Sequence, residues 1–155
     1  MKVDKKDMLL YLVTDRRWLT NQSFIEVIEL AIEGNVTFIQ LREKDLEYNE
    51  FKELAIKVKG IADKYEVPFV INDNIKIALE VDADGVHVGQ SDVIAARARE
   101  LLGPDKILGV SASNIEQAIE AEKAGADYLG IGSVFSTASK LDATDIRLSE
   151  IKKIV

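Results

Sequence analysis

Residues 81–89 read VDADGVHVG, and residues 124–132 read AGADYLGIG. Both stretches pass from a helix end through Ala-Asp into a short apolar strand that closes on glycine, and EGNVTFIQ at 33–40 is a weaker third copy. A repeat of roughly 45 residues covers two strand–helix units, which is typical of a (β/α) barrel and not of a solenoid. The repetition therefore predicts an α/β fold of the TIM-barrel type.

Six short apolar runs have the length of single strands: MLLYLV, VTFIQL, PFVI, GVHVG, KILGV and YLGIG. Their nearly continuous apolar character is typical of parallel strands that are buried on both faces. Two helix starts carry a predicted capping box, Ser23 with Glu26 and Ser113 with Glu116. Helical patterns lie near 23–34, 48–65, 74–81, 92–102, 113–124 and 147–155. We therefore expect six strand–helix units, about two fewer than a closed barrel of this type contains.

The composition limits the class of protein. The 155 residues are 47% hydrophobic, which is enough for one core, so we expect a single, incomplete barrel domain over residues 1–155. The net charge of −7 argues against nucleic-acid and membrane partners. The absence of cysteine excludes disulfides, thiolate zinc sites and cysteine nucleophiles. Because the first apolar run is also too short for a signal peptide, we expect a cytoplasmic protein.

Polar side chains follow every predicted strand. In a parallel sheet covered by helices, ligands bind at the carboxyl ends of the strands. Arg42, Lys44 and Lys140 supply cations from two distant strand ends, and Asp73 and Asp92 supply carboxylates from adjacent ones. Two carboxylates suit Mg²⁺, which takes oxygen ligands and completes its shell with water and phosphate. These residue types together predict a Mg²⁺-dependent site that handles phosphate groups.

Each of these groups also has a purely structural interpretation. Arg42 and Lys44 could belong to a solvated turn in which they pair with the carboxylates at 43, 45 and 47. Asp73 and Asp92 could cap helices, a role that is compatible with metal binding. The sequence alone leaves both interpretations open.

Two further features lie outside this set of cations and carboxylates. His87 is the single histidine and lies within an apolar run, which favours a buried structural imidazole over a ligand or acid–base group. The polar stretch 133–147 is either an ordinary loop or a lid that closes over phosphate, and its Thr-x-Ser-Lys favours the lid. No dinucleotide fingerprint and no Ser-His-Asp set is present in the pattern.

Several spaced motifs occur in the order seen in thiamine phosphate synthases: YLVTDR, QLREKD, FVINDN, DADGVHVGQSD, LGVSAS and ADYLGIGSVFSTASKLDA. The chain resembles this family from about residue 9 to residue 155. The resemblance implies a (β/α)8 barrel that joins 4-amino-2-methyl-5-hydroxymethylpyrimidine diphosphate to 4-methyl-5-(2-hydroxyethyl)thiazole phosphate. The products would be thiamine phosphate and pyrophosphate, and both substrates would be small molecules.

The resemblance also implies roles for individual residues. Arg42, Lys44 and Lys140 would be catalytic, because they would stabilise the negative charge that grows on the departing pyrophosphate. Asp73 and Asp92 would bind Mg²⁺ as the cofactor. The implied substrate-binding residues, which include the catalytic ones, are Gln40, Leu41, Arg42, Glu43, Lys44, Asn72, Ser111, Thr137, Ala138, Ser139 and Lys140.

The sequence departs from the family pattern in three places. Asn74 stands where arginine is frequent, Ser139 stands where threonine is usual, and the last two strands of the family barrel are not found in these 155 residues. One alternative is therefore a catalytically impaired fragment that binds only diphosphate. The related thiazole tautomerase is a second alternative, and it is disfavoured because its histidine would lie where this sequence reads SASNIE. An open six-stranded sheet exposes its first and last strands, which predicts a homo-oligomer.

Overall fold

The computed structural model describes residues 3–19, 21–89, 92–135 and 146–154. Six strands form one parallel sheet in consecutive order, and helices alternate with them. The strands are β1 Tyr11–Val13, β2 Phe38–Leu41, β3 Phe69–Asn72, β4 Gly85–Val88, β5 Ile107–Ala112 and β6 Tyr128–Ile131. The helices are α1 Phe24–Glu33, α2 Tyr48–Lys64, α3 Ile75–Glu80, α4 Asp92–Leu102, α5 Ile115–Lys123 and α6 Leu148–Ile154. The six predicted strand–helix units are confirmed, and each helix lies within the range predicted for it.

The sheet has two apolar faces, because side chains alternate between the faces along each strand. On β2, Ile39 and Leu41 pack with the helices in the larger core. Phe38 points to the inner face, where it packs in a smaller cluster with Tyr11 and Tyr128. Burial on both faces explains why the strands read as continuous apolar runs, with no alternation visible in the sequence.

The repeated Ala-Asp before β4 and β6 has a structural explanation, because each aspartate binds a backbone amide of the preceding strand. The carboxylate of Asp84, just before β4, accepts a hydrogen bond from the amide of Phe69 at the start of β3, with an N to Oδ2 distance of 2.8 Å. Asp127, just before β6, binds the amide of Leu108 in β5 in the same way, also at 2.8 Å. The repeated Ala-Asp therefore satisfies a backbone donor near the start of the preceding strand, where the sheet would otherwise leave it unpaired.

The helix caps agree with the sequence in one case and differ in the other. The predicted box of Ser23 with Glu26 is confirmed, and the Glu26 carboxylate accepts the Ser23 amide at 3.2 Å. The predicted box at Ser113 is wrong by one residue. The N-cap of α5 is Asn114, whose side-chain oxygen accepts the Gln117 amide at 2.8 Å. Among the residues that the structure describes, no helix is long and apolar enough to cross a membrane.

Candidate active site

A cavity of about 700 Å³ opens on the inner face of the sheet, toward the carboxyl ends of the strands. All six strands, or the residues that directly follow them, contribute to its wall. The polar side chains that line it are Tyr11, Thr14, Asp15, Gln40, Arg42, Asn72, His87, Ser111, Tyr128 and Ser133. Four of the predicted site residues, Gln40, Arg42, Asn72 and Ser111, are therefore brought together in one wall.

Arg42 reaches the cavity because the alternation of β2 continues past its end, which places residues 38, 40 and 42 on the inner side. The Arg42 amide donates to the hydroxyl of Thr14 at 3.0 Å, which fixes the backbone at this strand end. Its guanidinium forms no ion pair with any carboxylate in the described ranges, although Asp15 is close enough to sense its charge. A half-buried cation is thus held beside the cavity with its donors available to an anion.

The carboxylates that flank Arg42 are occupied by other arginines. Glu43 pairs with Arg16, with Nε 2.8 Å from Oε1, and the Glu43 side chain is only 5% exposed. Burial raises the pKa of Glu43, and Arg16 opposes that rise. Asp15 pairs with Arg17 at 2.6 Å, and this hydrogen bond is the main reason that its pKa falls to about 2. The solvated-turn interpretation, in which Arg42 pairs with its sequence neighbours, therefore does not describe this strand end.

The remaining predicted residues of the 40–44 stretch differ in what they can offer a ligand. Lys44 is exposed and forms no ion pair within the described part of the chain. Leu41 is fully buried in the helix-facing core, so only its backbone could contact a substrate. The Glu43 carboxylate is directed to Arg16, which likewise leaves its backbone for such a contact.

The predicted metal ligands follow neighbouring strands. Asp73 directly follows β3, and Asp92 is the first residue of α4, which follows β4. The Asp73 carboxylate accepts a hydrogen bond from the Asn72 amide nitrogen at 2.7 Å, and the Asp73 backbone amide donates to the carbonyl of His87 at 2.8 Å. The backbone of Asp73 has φ of +61°, in the left-handed region that favours glycine.

This conformation at Asp73 stands apart from the other described non-glycine residues with positive φ, each of which lies two residues beyond the end of a helix: Asn35, Glu66 and Asp82. Asp73 instead follows a strand beside the cavity, a position where strained backbone is often found at functional sites. No cluster of three potential metal-binding side chains occurs among the described residues. An exposed carboxylate of this kind fits Mg²⁺, which uses one or two carboxylates and otherwise water and phosphate oxygens.

Four predicted site residues lie outside the described residues: Thr137, Ala138, Ser139 and Lys140. The possible lid at 133–147 falls largely in the same stretch.

The structure adds two tyrosines that the sequence analysis missed. The Gln40 amide nitrogen donates to the Tyr11 hydroxyl at 2.8 Å, and the Tyr11 and Tyr128 hydroxyl oxygens are 2.6 Å apart. The Tyr128 hydroxyl lies 3.1 Å from Nδ1 of His87, whose Nε2 lies 3.0 Å from the Ser111 hydroxyl. His87 is buried as predicted, at 8% exposure, yet it also joins the cavity wall.

Two glycines make room for this network. A β-carbon on Gly109 would lie 2.1 Å from Cζ of Tyr128, and one on Gly130 would lie 2.8 Å from Cε1 of His87. Burial raises the pKa of Tyr11 to about 12 and raises the pKa of Tyr128 further still. Both phenols are therefore neutral over the whole range in which proteins normally work.

Comparison with known proteins agrees with this architecture. The family model described as thiamine monophosphate synthase matches residues 10–155. Thiamine-phosphate synthase from Ruminiclostridium cellulolyticum is 54% identical over 151 residues, which cover 97% of this chain and 72% of that protein. The Clostridium acetobutylicum enzyme of the same name is 53% identical over 148 residues, covering 96% of this chain and 70% of that protein.

A solved structure gives the same result in three dimensions. Thiamine phosphate pyrophosphorylase from Pyrococcus furiosus superposes with a TM-score of 0.84 at 39% identity, covering 97% of this chain and 70% of that one. Its agreement extends over the six-unit sheet described above. The chain therefore belongs to the thiamine monophosphate synthase family.

Proposed function

We propose that the protein acts in the cytoplasm as a thiamine-phosphate synthase. It would join the pyrimidine diphosphate to the thiazole phosphate and release pyrophosphate. The observation that carries the proposal is Arg42, a half-buried guanidinium beside the cavity whose neighbouring carboxylates are engaged by other arginines. Family membership supports the reaction, and the guanidinium beside the cavity, unpaired among the described residues, supports Arg42 as the partner of the anionic leaving group.

The residue roles follow from where charge develops. As the methylene C–O bond of the pyrimidine substrate breaks, its electron pair leaves with pyrophosphate, and the thiazole nitrogen then attacks the methylene carbon. Arg42 and Lys44, with Lys140, would bind the pyrophosphate more tightly as its charge grows, which lowers the barrier. Gln40, Asn72 and Ser111 would orient the pyrimidine substrate from the inner face of the sheet.

Asp73 and Asp92 would hold Mg²⁺ between the ends of β3 and β4. When bound, the ion neutralises charge on the diphosphate oxygens. The left-handed backbone of Asp73 supports this role, because strained backbone beside a cavity is often found at functional sites.

The test is thiamine phosphate formation by the purified chain, assayed with both substrates. We expect turnover that is lost on addition of a chelator and restored by excess Mg²⁺. Turnover that is insensitive to the chelator would contradict the metal assignment. A chain that is folded by circular dichroism and binds the pyrimidine diphosphate, yet forms no product, would instead be the impaired fragment.

We also propose that the protein self-associates. Within the described residues, β1 pairs only with β2 and β6 only with β5, so both edges of the sheet present unpaired backbone groups. Large apolar side chains are exposed at the first edge, where Leu9 is 77% and Val13 is 46% accessible. We expect light scattering after size exclusion to give at least a dimer mass, and a monodisperse monomer at all concentrations would contradict the proposal.

A further inference from the structure

A continuous row of buried and half-buried polar side chains connects two ligand-facing positions of the cavity. It runs from Gln40 through Tyr11, Tyr128 and His87 to Ser111, and each link is a hydrogen bond of 2.6 to 3.1 Å. Five polar side chains spread over five strands of the sheet are therefore coupled, and the Gln40 side chain also interacts with the Tyr128 hydroxyl. Such a row has a direction, because every hydroxyl that accepts one hydrogen must give its own to the next group.

The direction is set at the Gln40 end. An amide nitrogen only donates, so the Tyr11 oxygen accepts from Gln40. In the described part of the chain the Tyr128 oxygen is the one acceptor available to the Tyr11 hydrogen, so Tyr11 donates to Tyr128. Reversing this bond would leave the Tyr11 hydrogen without an acceptor among the described side chains.

The rest of the row follows from that first bond. Tyr128 passes its own hydrogen to Nδ1 of His87, which must then be unprotonated. The neutral imidazole carries its hydrogen on Nε2 and donates it to the Ser111 oxygen. The Ser111 hydrogen then has no acceptor among the described residues and is turned to the cavity that Ser111 lines.

We propose that Tyr11, Tyr128 and His87 are positioning residues that fix Ser111 as a hydrogen-bond donor toward the substrate. The inference rests on the proposed function, and it specifies which kind of substrate atom binds at Ser111. The ligand atom opposite Ser111 is an acceptor, either a diphosphate oxygen or a ring nitrogen of the pyrimidine. The Gln40 amide oxygen accepts no hydrogen bond within the described ranges, so the other end of the row presents an acceptor to the same cavity.

The packing around the row keeps it rigid. Tyr11 stacks on Phe38 with ring centroids 4.7 Å apart, and Phe38 meets the Tyr128 ring edge at 5.6 Å. The Tyr128 and His87 rings occupy the space beside Gly109 and Gly130, so a β-carbon at either glycine would overlap with a ring. The raised pKa values of both tyrosines keep their hydroxyls protonated, so neither tyrosine breaks the row at ordinary pH.

The first test reads the tautomer directly and needs no turnover. His87 is the only histidine of the sequence, so an untagged protein with ¹⁵N-labelled histidine gives a single imidazole spectrum. Under conditions in which the ring is neutral, we expect the hydrogen on Nε2 and a pyridine-type signal from Nδ1. A wild-type protein with the hydrogen on Nδ1 would overturn the proposal. In Tyr128→Phe the Nδ1 acceptor loses its donor, and we expect a mixture of both tautomers.

The second test measures whether the His87 tautomer affects ligand affinity through Ser111. We expect Tyr128→Phe and Ser111→Ala each to weaken binding of the pyrimidine diphosphate by about tenfold, and the double variant to be no weaker than Ser111→Ala alone. Additive losses would overturn the proposal, because they would mean that Tyr128 acts independently of Ser111. Tyr65→Phe is the matched control, because Tyr65 caps the C-terminal end of α2 and is not among the residues that line the cavity, and it leaves the affinity unchanged.

Inorganic pyrophosphate identifies the acceptor atom. If its affinity also falls in Tyr128→Phe, Ser111 faces a diphosphate oxygen, and if only the pyrimidine diphosphate is affected, Ser111 faces the ring. Both results support the proposal that the row positions Ser111, whereas unchanged affinity for both ligands overturns it. A protein that shows the expected tautomer but forms no thiamine phosphate would contradict the proposed function, and the hydrogen-bonded row would still be supported.

Discussion

Arg42→Ala lowers the rate of thiamine phosphate formation by roughly 100-fold to 1000-fold, the usual effect of removing a preorganised group that stabilises transition-state charge. The fold should tolerate the change. Arg42 forms no ion pair among the described residues, and its backbone amide still reaches Thr14 in the variant. We therefore expect the free energy of unfolding to stay within about 0.5 kcal/mol of the wild type. Steady-state kinetics and pyrophosphate binding by calorimetry measure the first effect, and urea denaturation measures the second.

Arg97→Ala is the control for loss of one positive charge. Arg97 lies on the outside of α4, where it pairs with Glu100, so its removal changes the net charge equally without touching the cavity. We expect its kcat/KM to equal that of the wild type. Full activity in Arg42→Ala would mean that the anion is bound elsewhere.

Gly85→Ala destabilises the protein by at least about 3 kcal/mol, the upper end of the range for overpacking a core. A β-carbon at this position would lie 1.9 Å from the carbonyl oxygen of Ile107 and 2.6 Å from its carbonyl carbon. These atoms belong to the backbone of β5, and Gly85 is paired with Ile107 in the sheet, so relief requires the two strands to separate. The free energy of unfolding of a domain is only about 5–15 kcal/mol, so this loss is a large fraction of it.

Gly60→Ala provides a control of opposite sign. Gly60 lies within α2, and a β-carbon there meets no atom within 4 Å beyond its chain neighbours and the nearby backbone of its own helix. Alanine is preferred over glycine inside a helix, so we expect a gain of about 0.5–1 kcal/mol. The midpoints of urea unfolding should thus move in opposite directions for the two variants. A wild-type midpoint for Gly85→Ala would show that β4 and β5 do not approach each other this closely.

The sequence was sufficient to predict the fold because strand and helix signals are local. Six apolar runs and the helical spacing between them predicted every strand and every α-helix of the described residues, since burial on both faces leaves a continuous apolar run for each strand. The short 3-10 helices at Lys5–Met8 and Arg16–Trp18 were not predicted. The error at α5 arose where two candidate caps are adjacent. Ser113 and Asn114 are both good N-caps, and only the backbone conformation decides whose side chain reaches the first turn.

Those site residues that lie at the carboxyl ends of the strands could be predicted from the sequence. Gln40, Arg42, Asn72 and Ser111 share one cavity, as expected for the carboxyl edge of a parallel sheet. The partner of Glu43 could not be read from the sequence, because Arg16 comes from a different strand end.

The tyrosines at 11 and 128 were hidden for a different reason. Each lies inside an apolar run, and in a hydrophobic pattern a tyrosine counts as one more apolar residue. Its hydroxyl becomes visible as a polar group only when its buried neighbours are known.

The aspartates that precede β4 and β6 also affect how quickly the sheet can assemble. Asp84 binds an amide 15 residues earlier, and Asp127 binds one 19 residues earlier, so each contact closes a short stretch of chain. Parallel sheets usually fold slowly, because distant segments must meet before any contact compensates for the lost chain entropy. Here every strand pairs with its neighbour in sequence. The entropic barrier to pairing the strands is thereby divided into successive steps, even though the sheet is entirely parallel.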